Sequence, residues 1–288
     1  MLNLRFITHC VDEDFFDTVK KGTRDAAELL GIQYDFIGTE DVDFDEQIEM
    51  VRQAVRDKVD GIATSTLHPT AYNKVLEEVK TAGIPVVLLN TAASQGENND
   101  VPFIGQDVYQ AGRKIGANIA DKIPDGAKVL VPIHSEGISA LDERARGIRE
   151  GLAGKNLKFQ SVVTGIEVED GFRVVSEILK TDPEIKTVLG TGQADTEGAG
   201  KAVETHFPNQ GYVVAGFDVS SGILRLIKND IISFTLDQQP YAQGFYPVVQ
   251  LVQQIRYGII PSDMDSGSTM ISKENVDEVM RLTEAGYR

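Results

Sequence analysis

The stretch Asp60–Thr91, DGIATSTLHPTAYNKVLEEVKTAGIPVVLLNT, sets the fold class. It opens on a short apolar run, DGIATST, passes through a helical pattern, PTAYNKVLEEVKTAG, and closes on a second apolar run, IPVVLLNT. Neither run alternates between apolar and polar residues as a half-exposed strand would. Continuous apolar strands joined by helices imply a parallel sheet covered on both faces.

The same order extends in both directions. Before Asp60 come LRFITH as a strand, Phe15 to Leu30 as a helix ending at Gly31, QYDFIG as a strand, and FDEQIEMVRQAVRD as a helix with Ile48, Val51 and Val55 on one face. After Thr91 the series repeats: AKVLVPIH, then ALDERARGIREGLAG; KFQSVVTG, then DGFRVVSEILKTD; KTVLGTG, then DTEGAGKAVETH; and finally YVVAGFD. The halves match element by element, a structural duplication rather than a short-period solenoid. The expectation is an α/β protein of two similar Rossmann-like lobes with parallel sheets, joined by a hinge of crossover strands, with a ligand cleft between them. The lobes are placed at residues 1–105 plus 238–266 and 106–237 plus 267–288. Open parallel sheets bind ligands at the carboxyl ends of their strands. The loops to watch are therefore His9 to Phe16, Thr64 to His68, Asn90 to Ala93, His134 to Arg144, Gln193 to Asp195 and Asp218 to Ser221. ISFTLDQQP is read as a strand crossing back to the first lobe, bringing Gln238 and Gln239 to the hinge.

The first helix poses a local question. In THCVDEDFFDTVKKG, Thr8–Gly22, two phenylalanines follow an acidic turn. A stripe of Phe15, Val19, Gly22, Ala26 and Leu29 or Leu30 makes Phe15 the core residue. Phe16 then lies about 100° round the helix, in register with Lys20 and Thr23. The alternative is a wider stripe that takes in both rings.

Composition excludes several classes. The 288 residues carry a formal charge of −16 and no basic cluster, against a nucleic-acid partner. The single cysteine, Cys10, excludes an internal disulfide and cysteine-rich zinc modules. No apolar run reaches the length of a membrane span, and MLNLRFITHC reads as a first strand rather than an export leader. Enzyme motifs fail: GTGQAD has Asp195 where a dinucleotide fingerprint needs Gly or Ala, EGAGKA lacks the earlier glycine and the Ser or Thr of a phosphate loop, and GISA is no nucleophile elbow. Metal binding by His9, Cys10, Asp12 and Asp14 is disfavoured, because neighbouring strand residues point to opposite faces. No cofactor is expected.

DFFDTVKKG, IPVVLLNT, FIGQDVYQAGRKIG, ERARGI, VVAGFDVS and TLDQQPYAQG, in this order and spacing, resemble periplasmic sugar-binding proteins of the ribose/galactose-binding type. These are soluble receptors of bacterial ABC importers with the type I periplasmic binding protein fold. The resemblance covers essentially the whole chain. It implies that Phe15, Phe16 or both lie against the C–H face of a sugar. It aligns polar ligand groups with Asn90, Arg144, Asp218 and Gln238, and places Gln193 and Asp195 in a further binding loop. His9 stands where the ribose type has a small hydroxyl residue, Glu13 where it has Asn, and Asn90-Thr91 where an Asp-Arg pair is common. These departures turn the expectation away from ribose itself towards another pentose, a hexose, a deoxy-sugar or a polyol. The physical logic is independent of the resemblance: planar Asp, Asn, Gln and Arg groups each pair with two neighbouring hydroxyls.

Bland readings stand beside these: Asp218 as a helix cap, Arg144 as a solvated residue paired with Asp142 or Glu143, Asn90 as a turn former, Gln238 as a hinge residue, His68 as a turn residue, and His134 and His206 as surface or packing residues. The resemblance implies a non-catalytic monomer in the periplasm or otherwise extracytoplasmic, with its leader absent from this chain. Its partners would be a monosaccharide or polyol and a membrane permease. The alternative is the effector-binding core of a LacI-type, sugar-responsive repressor. An enzyme acting on a sugar lacks an acid–base pair.

Overall fold

The computed structural model describes residues 1–92 and 100–288. Ala93, the end of one expected strand-end loop, lies outside the described residues. The first elements are β1 (Asn3–Thr8), α1 (Asp14–Leu30), β2 (Gln33–Gly38), α2 (Phe44–Arg56), β3 (Gly61–Thr64), α3 (Asn73–Thr81), β4 (Val86–Asn90) and β5 (Phe103–Gly105). Then come α4 (Val108–Ile119), β6 (Lys128–Ile133), α5 (Ser139–Gly151), β7 (Lys158–Val163), α6 (Val168–Thr181), β8 (Ile185–Leu189), α7 (Gln193–His206), β9 (Val213–Phe217) and α8 (Ser221–Lys228). The chain closes with β10 (Phe234–Asp237), α9 (Pro240–Tyr257), β11 (Met264–Asp265), β12 (Thr269–Ser272) and α10 (Val276–Glu284).

These elements divide into two units. The first comprises Met1–Gln106, Gln239–Gly267 and Gly286–Arg288. Its sheet has the order β11-β5-β4-β3-β1-β2, and every pairing is parallel. Alternation along the strands feeds two cores. Leu4, Phe6, Ala63, Val87 and Leu89 face α1 and α9, where they meet Val19, Ala26, Val248 and Leu251. Ile7, Ile62, Val86 and Leu88 face α2 and α3, where they meet Ile48, Val51, Val75 and Val79. Helix ends carry local stops and starts: Gly31 takes the left-handed conformation after α1, and the Asp43 carboxylate accepts the Glu46 N–H ahead of α2.

The second unit comprises Asp107–Gln238 and Ser268–Ala285. Its sheet has the order β12-β10-β9-β8-β6-β7. All pairings are parallel except β10–β12. Val129, Val131, Ala215 and Phe217 face α4 and α5, while Leu130 and Val214 face α6, α7, α8 and α10.

FIG, Phe103–Gly105, is β5 and pairs with β4 in the first unit. Three expectations change. The strand in ISFTLDQQP does not leave the second sheet; β10 pairs with β9 and β12. Residues 286–288 belong to the first unit rather than the second, where Tyr287 packs on Tyr241 and lies under the Lys21 ammonium. The third concerns α1. The wider stripe holds, with both rings against one core, but Phe16 is 1% exposed and Phe15 half-buried, the reverse of the order that the narrow stripe gives.

The physical reason for the reversal is α9. Gly22 and Gly244 let the two helices approach to backbone contact: a Cβ on Gly22 would lie 2.1 Å from the Tyr241 carbonyl oxygen, and one on Gly244 1.9 Å from that of Val19. The Thr23 hydroxyl donates to Val19 and Gly244 carbonyls at 3.1 and 3.3 Å. A neighbouring helix thus claims the Thr23 side, rotating Phe16 inward with it; Leu29 is left exposed. Burying a ring of that size contributes about 2–3 kcal/mol.

Gly22→Ala should destabilise the protein by about 1–3 kcal/mol, the usual cost of overpacking. Gly154→Ala, where an added Cβ meets nothing within 4 Å, should be neutral within about 0.5 kcal/mol. Urea denaturation of the two variants checks this.

Candidate functional site

In the first unit, β1 runs into His9 and then Cys10, whose φ of 42° turns the chain. The Cys10 thiol bonds to the Glu13 carboxylate, and burial pushes the thiol up beyond its ordinary range. Glu13 therefore braces the turn ahead of α1. His9 is buried, with Nδ1 3.0 Å from Ser65 Oγ. Its ring meets Phe16 edge-on at 5.3 Å, and Phe16 meets Phe15 edge-on at 5.2 Å. The predicted pair of rings thus has unequal parts: Phe16 belongs to the core, while Phe15 keeps some of its surface outside it.

Asn90 ends β4 with φ 63°, a left-handed conformation that Asn tolerates better than most residues. Its Nδ2 donates to Gln243 Oε1 at 3.3 Å, and Gln243 Nε2 donates to Ser266 Oγ at 3.1 Å. Gln243 is fully buried on α9. It was missed in the sequence, although it lies within TLDQQPYAQG; no local pattern separates it from the other glutamines there. His68 serves its turn, with Nδ1 accepting the Thr70 and Ala71 N–H groups at 3.2 Å each.

In the second unit, Arg144, Asp218, Gln238, Gln193 and Asp195 come together at the carboxyl ends of β6, β8, β9 and β10. Arg144 is 4% exposed. Its Nη1 donates to the Thr191 carbonyl at 2.9 Å and lies 3.7 Å from Asp218 Oδ2. Its guanidinium sits 4.2 Å above the Phe217 ring. Glu143, a proposed surface partner for Arg144, pairs instead with Arg146. Asp218 is left-handed at φ 70°, held there by its N–H donating to Leu236 at 2.9 Å and by Thr235 Oγ1 donating to its carbonyl at 2.7 Å. Gln238 Nε2 donates to Asp218 Oδ1 at 2.6 Å, and the Gln193 N–H donates to the same carboxylate. Asp218 is not a helix cap; Ser220 caps α8.

Gln193 and Asp195 are not in a loop, as expected, but in the first turn of α7. Asp195 is fully buried and accepts from Thr164 Oγ1 at 2.5 Å and Thr191 Oγ1 at 3.2 Å. Those hydroxyls, together with backbone N–H groups, hold the carboxyl beneath Arg144. Burial pushes Asp195 up to about 7 despite these donors. Burial likewise weighs against both charges of the Arg144–Asp218 pair, raising the carboxyl and lowering the guanidinium, while each charge supports the other.

His134, read as a surface or packing residue, is half-buried at the end of β6, with Nδ1 3.1 Å from Ser135 Oγ. Burial and the neighbouring Arg144 charge hold its imidazole down to about 4. His206 is a packing residue, stacked on Phe172 at 5.6 Å. No group of three metal-binding side chains occurs among the described residues, and no helix among them is long and apolar enough to cross a membrane.

The chain matches the family model described as periplasmic binding protein domain over residues 5–258. It is 28% identical to the xylose/arabinose-binding protein XylF of Sulfolobus acidocaldarius over 286 residues, 94% of this chain and 71% of that protein. It is 27% identical to the ribose import binding protein RbsB of Bacillus subtilis, over 81% of this chain and 75% of that one. Among solved structures, a carbohydrate transporter from Acidothermus cellulolyticus 11B in complex with myo-inositol superposes with a TM-score of 0.87 at 28% identity, covering 100% of this chain and 99% of that one.

Asp195 gives a pH signature of known sign. Its folded-state value lies above its ordinary one of 3.8, so between about pH 4 and 7 the native chain holds a proton that the unfolded chain has released. Its contribution to stability is full below that window and is lost as pH rises through it, at no more than about 1.4 kcal/mol per pH unit. Asp195→Asn should remove this component. In urea titrations from pH 4 to 7.5, the stability of wild type relative to the variant should fall with rising pH.

Proposed function

We propose that this chain, which belongs to the periplasmic binding protein domain family, is the sugar-binding component of an ABC importer. The ligand is a monosaccharide or a related polyol. The observation that carries the reading is the buried Arg144–Asp218–Gln238 set, in which a cation, a carboxylate and an amide are fixed by one another and by Thr191 and Gln193. A sugar hydroxyl both donates and accepts, and such planar groups pair with adjacent hydroxyls. A rigid set of them discriminates between epimers, because a buried polar group left unpaired costs about 1–3 kcal/mol. Within the first unit, taken by itself, Phe15 is the candidate apolar face for ring C–H groups, and His9 and Asn90 are the candidate polar groups.

The reading takes the chain as an extracytoplasmic monomer that hands its ligand to a membrane permease. No catalytic step is part of it. The relatives named above are binding and transport proteins, which gives the repressor alternative no support. The sugars and polyol named with those relatives, xylose or arabinose, ribose and myo-inositol, set the order in which candidates are tried.

A thermal-shift screen across pentoses, hexoses, deoxy-sugars and inositols tests the proposal. A ligand at 100 times its Kd adds about 2.7 kcal/mol of stability, so a clear upward shift is expected for at least one compound. Silence across the whole set would overturn the reading. Gln238→Ala and Phe15→Ala should keep the fold and lose at least tenfold in affinity. Asp218→Asn should abolish the response, since it removes the carboxylate charge 3.7 Å from Arg144.

A further inference from the structure

A second polar group is buried behind His9, wholly within the first unit. Gln47 on α2 is fully buried. Its Nε2 lies 2.9 Å from the Ser65 carbonyl, 3.1 Å from Ser65 Oγ, and 3.4 Å from both the Ile7 carbonyl and Thr64 Oγ1. Its Oε1 accepts from the Tyr72 hydroxyl at 2.7 Å. Tyr72 in turn accepts the Leu67 N–H. Ser65 Oγ completes the series, 3.0 Å from His9 Nδ1.

The direction of every bond in this series follows from what each atom is able to do. Carbonyl oxygens only accept, so the Gln47 end facing Ser65 and Ile7 is the amide nitrogen. The other end is then the oxygen, consistent with a Tyr72 hydroxyl that already accepts from Leu67 and so has its hydrogen to give. An amide nitrogen only donates. Ser65 Oγ therefore accepts from Gln47, and among the described residues its own hydrogen is left with one hydrogen-bonding atom in reach, His9 Nδ1. If Nδ1 carried the ring proton, Ser65 Oγ would accept from both Gln47 and His9, and the buried serine hydrogen would have no acceptor among the described residues, at about 1–3 kcal/mol.

We infer that Ser65, Gln47 and Tyr72 are positioning residues that fix His9 as the tautomer protonated on Nε2, with Nδ1 as acceptor. The inference rests on the proposed sugar-binding role of His9 and sharpens it. Towards a ligand the imidazole is a donor, so the ligand atom it meets acts as an acceptor. The imidazole that replaces a small hydroxyl residue on the first strand is thus a directional group, whereas a hydroxyl rotates to suit either role.

The test is made on the ligand-free chain, so its failure is separable from a silent sugar screen. Long-range ¹⁵N–¹H spectra of ¹⁵N-histidine-labelled protein at neutral pH distinguish an acceptor nitrogen from a protonated one, and His9→Gln identifies the His9 signals among those of the four histidines. The wild type should show Nδ1 as the acceptor and Nε2 as the protonated nitrogen. Ser65→Ala should shift the His9 signals towards a tautomer mixture, and Ser65→Thr, which keeps a hydroxyl, should restore the wild-type pattern. Protonation at Nδ1 in the wild type overturns the inference, even if the variants fail to fold. An unchanged His9 spectrum in Ser65→Ala overturns the role given to Ser65.

Discussion

In a parallel sheet every strand delivers its last residue to the same edge, and the chain must turn there before the next helix begins. The backbone and side-chain polar groups stranded at those turns are half out of water and need partners. Both units depend on how this constraint is met. In the first, the ends of β1, β3 and β4 bring His9, Ser65 and Asn90; His9 meets Ser65, while Ser65 and Asn90 are tied to Gln47 and Gln243 on helices. In the second, the ends of β6, β8 and β9 bring His134, Thr191 and Asp218, with Arg144 reaching in from α5. The edge that the fold leaves difficult to satisfy is the edge to which the proposed polyhydroxy ligand is assigned.

Two of these strand ends store backbone strain. Asn90 and Asp218 both hold positive φ, and each aims its side chain at a buried amide, Gln243 in one case and Gln238 in the other. A left-handed residue reverses the strand without the extra length of a loop and keeps a short polar side chain at the turn. Asn and Asp are the non-glycine residues for which that conformation is least unfavourable. Their identity at these positions thus answers to backbone geometry as well as to ligand chemistry, and the two demands select the same residues.

Much of the fold was legible in particular segments. IPVVLLNT and VVAGFD are apolar on both faces because helices cover both sides of their sheets, and Gly31 stops α1 where its lack of a Cβ predicts. Of the candidate site, Arg144, Asp218 and Gln238 were legible because of their places at strand and helix ends within matching stretches. Gln47, Ser65, Thr164, Thr191 and Gln243 were not. Their roles are to satisfy another buried group, and nothing in a lone glutamine or threonine reports which atom it will face once distant segments are packed together.

The amino-acid sequence by itself determined the alternation of strand and helix, the duplication into two α/β units, and the residue types available at the strand ends, because hydrophobic periodicity and turn chemistry act over a few neighbouring positions. Tertiary structure alone decided which face of α1 is buried, since the close approach of α9 at Gly22 and Gly244 outweighs the local stripe and turns Phe16 inward in place of Phe15. It alone decided that Asp195 is an internal carboxyl held by Thr164 and Thr191, and that the last three residues join the first unit. Those outcomes depend on contacts between residues far apart along the chain, where backbone approach and the pairing of buried polar atoms select among arrangements that local preference leaves equivalent.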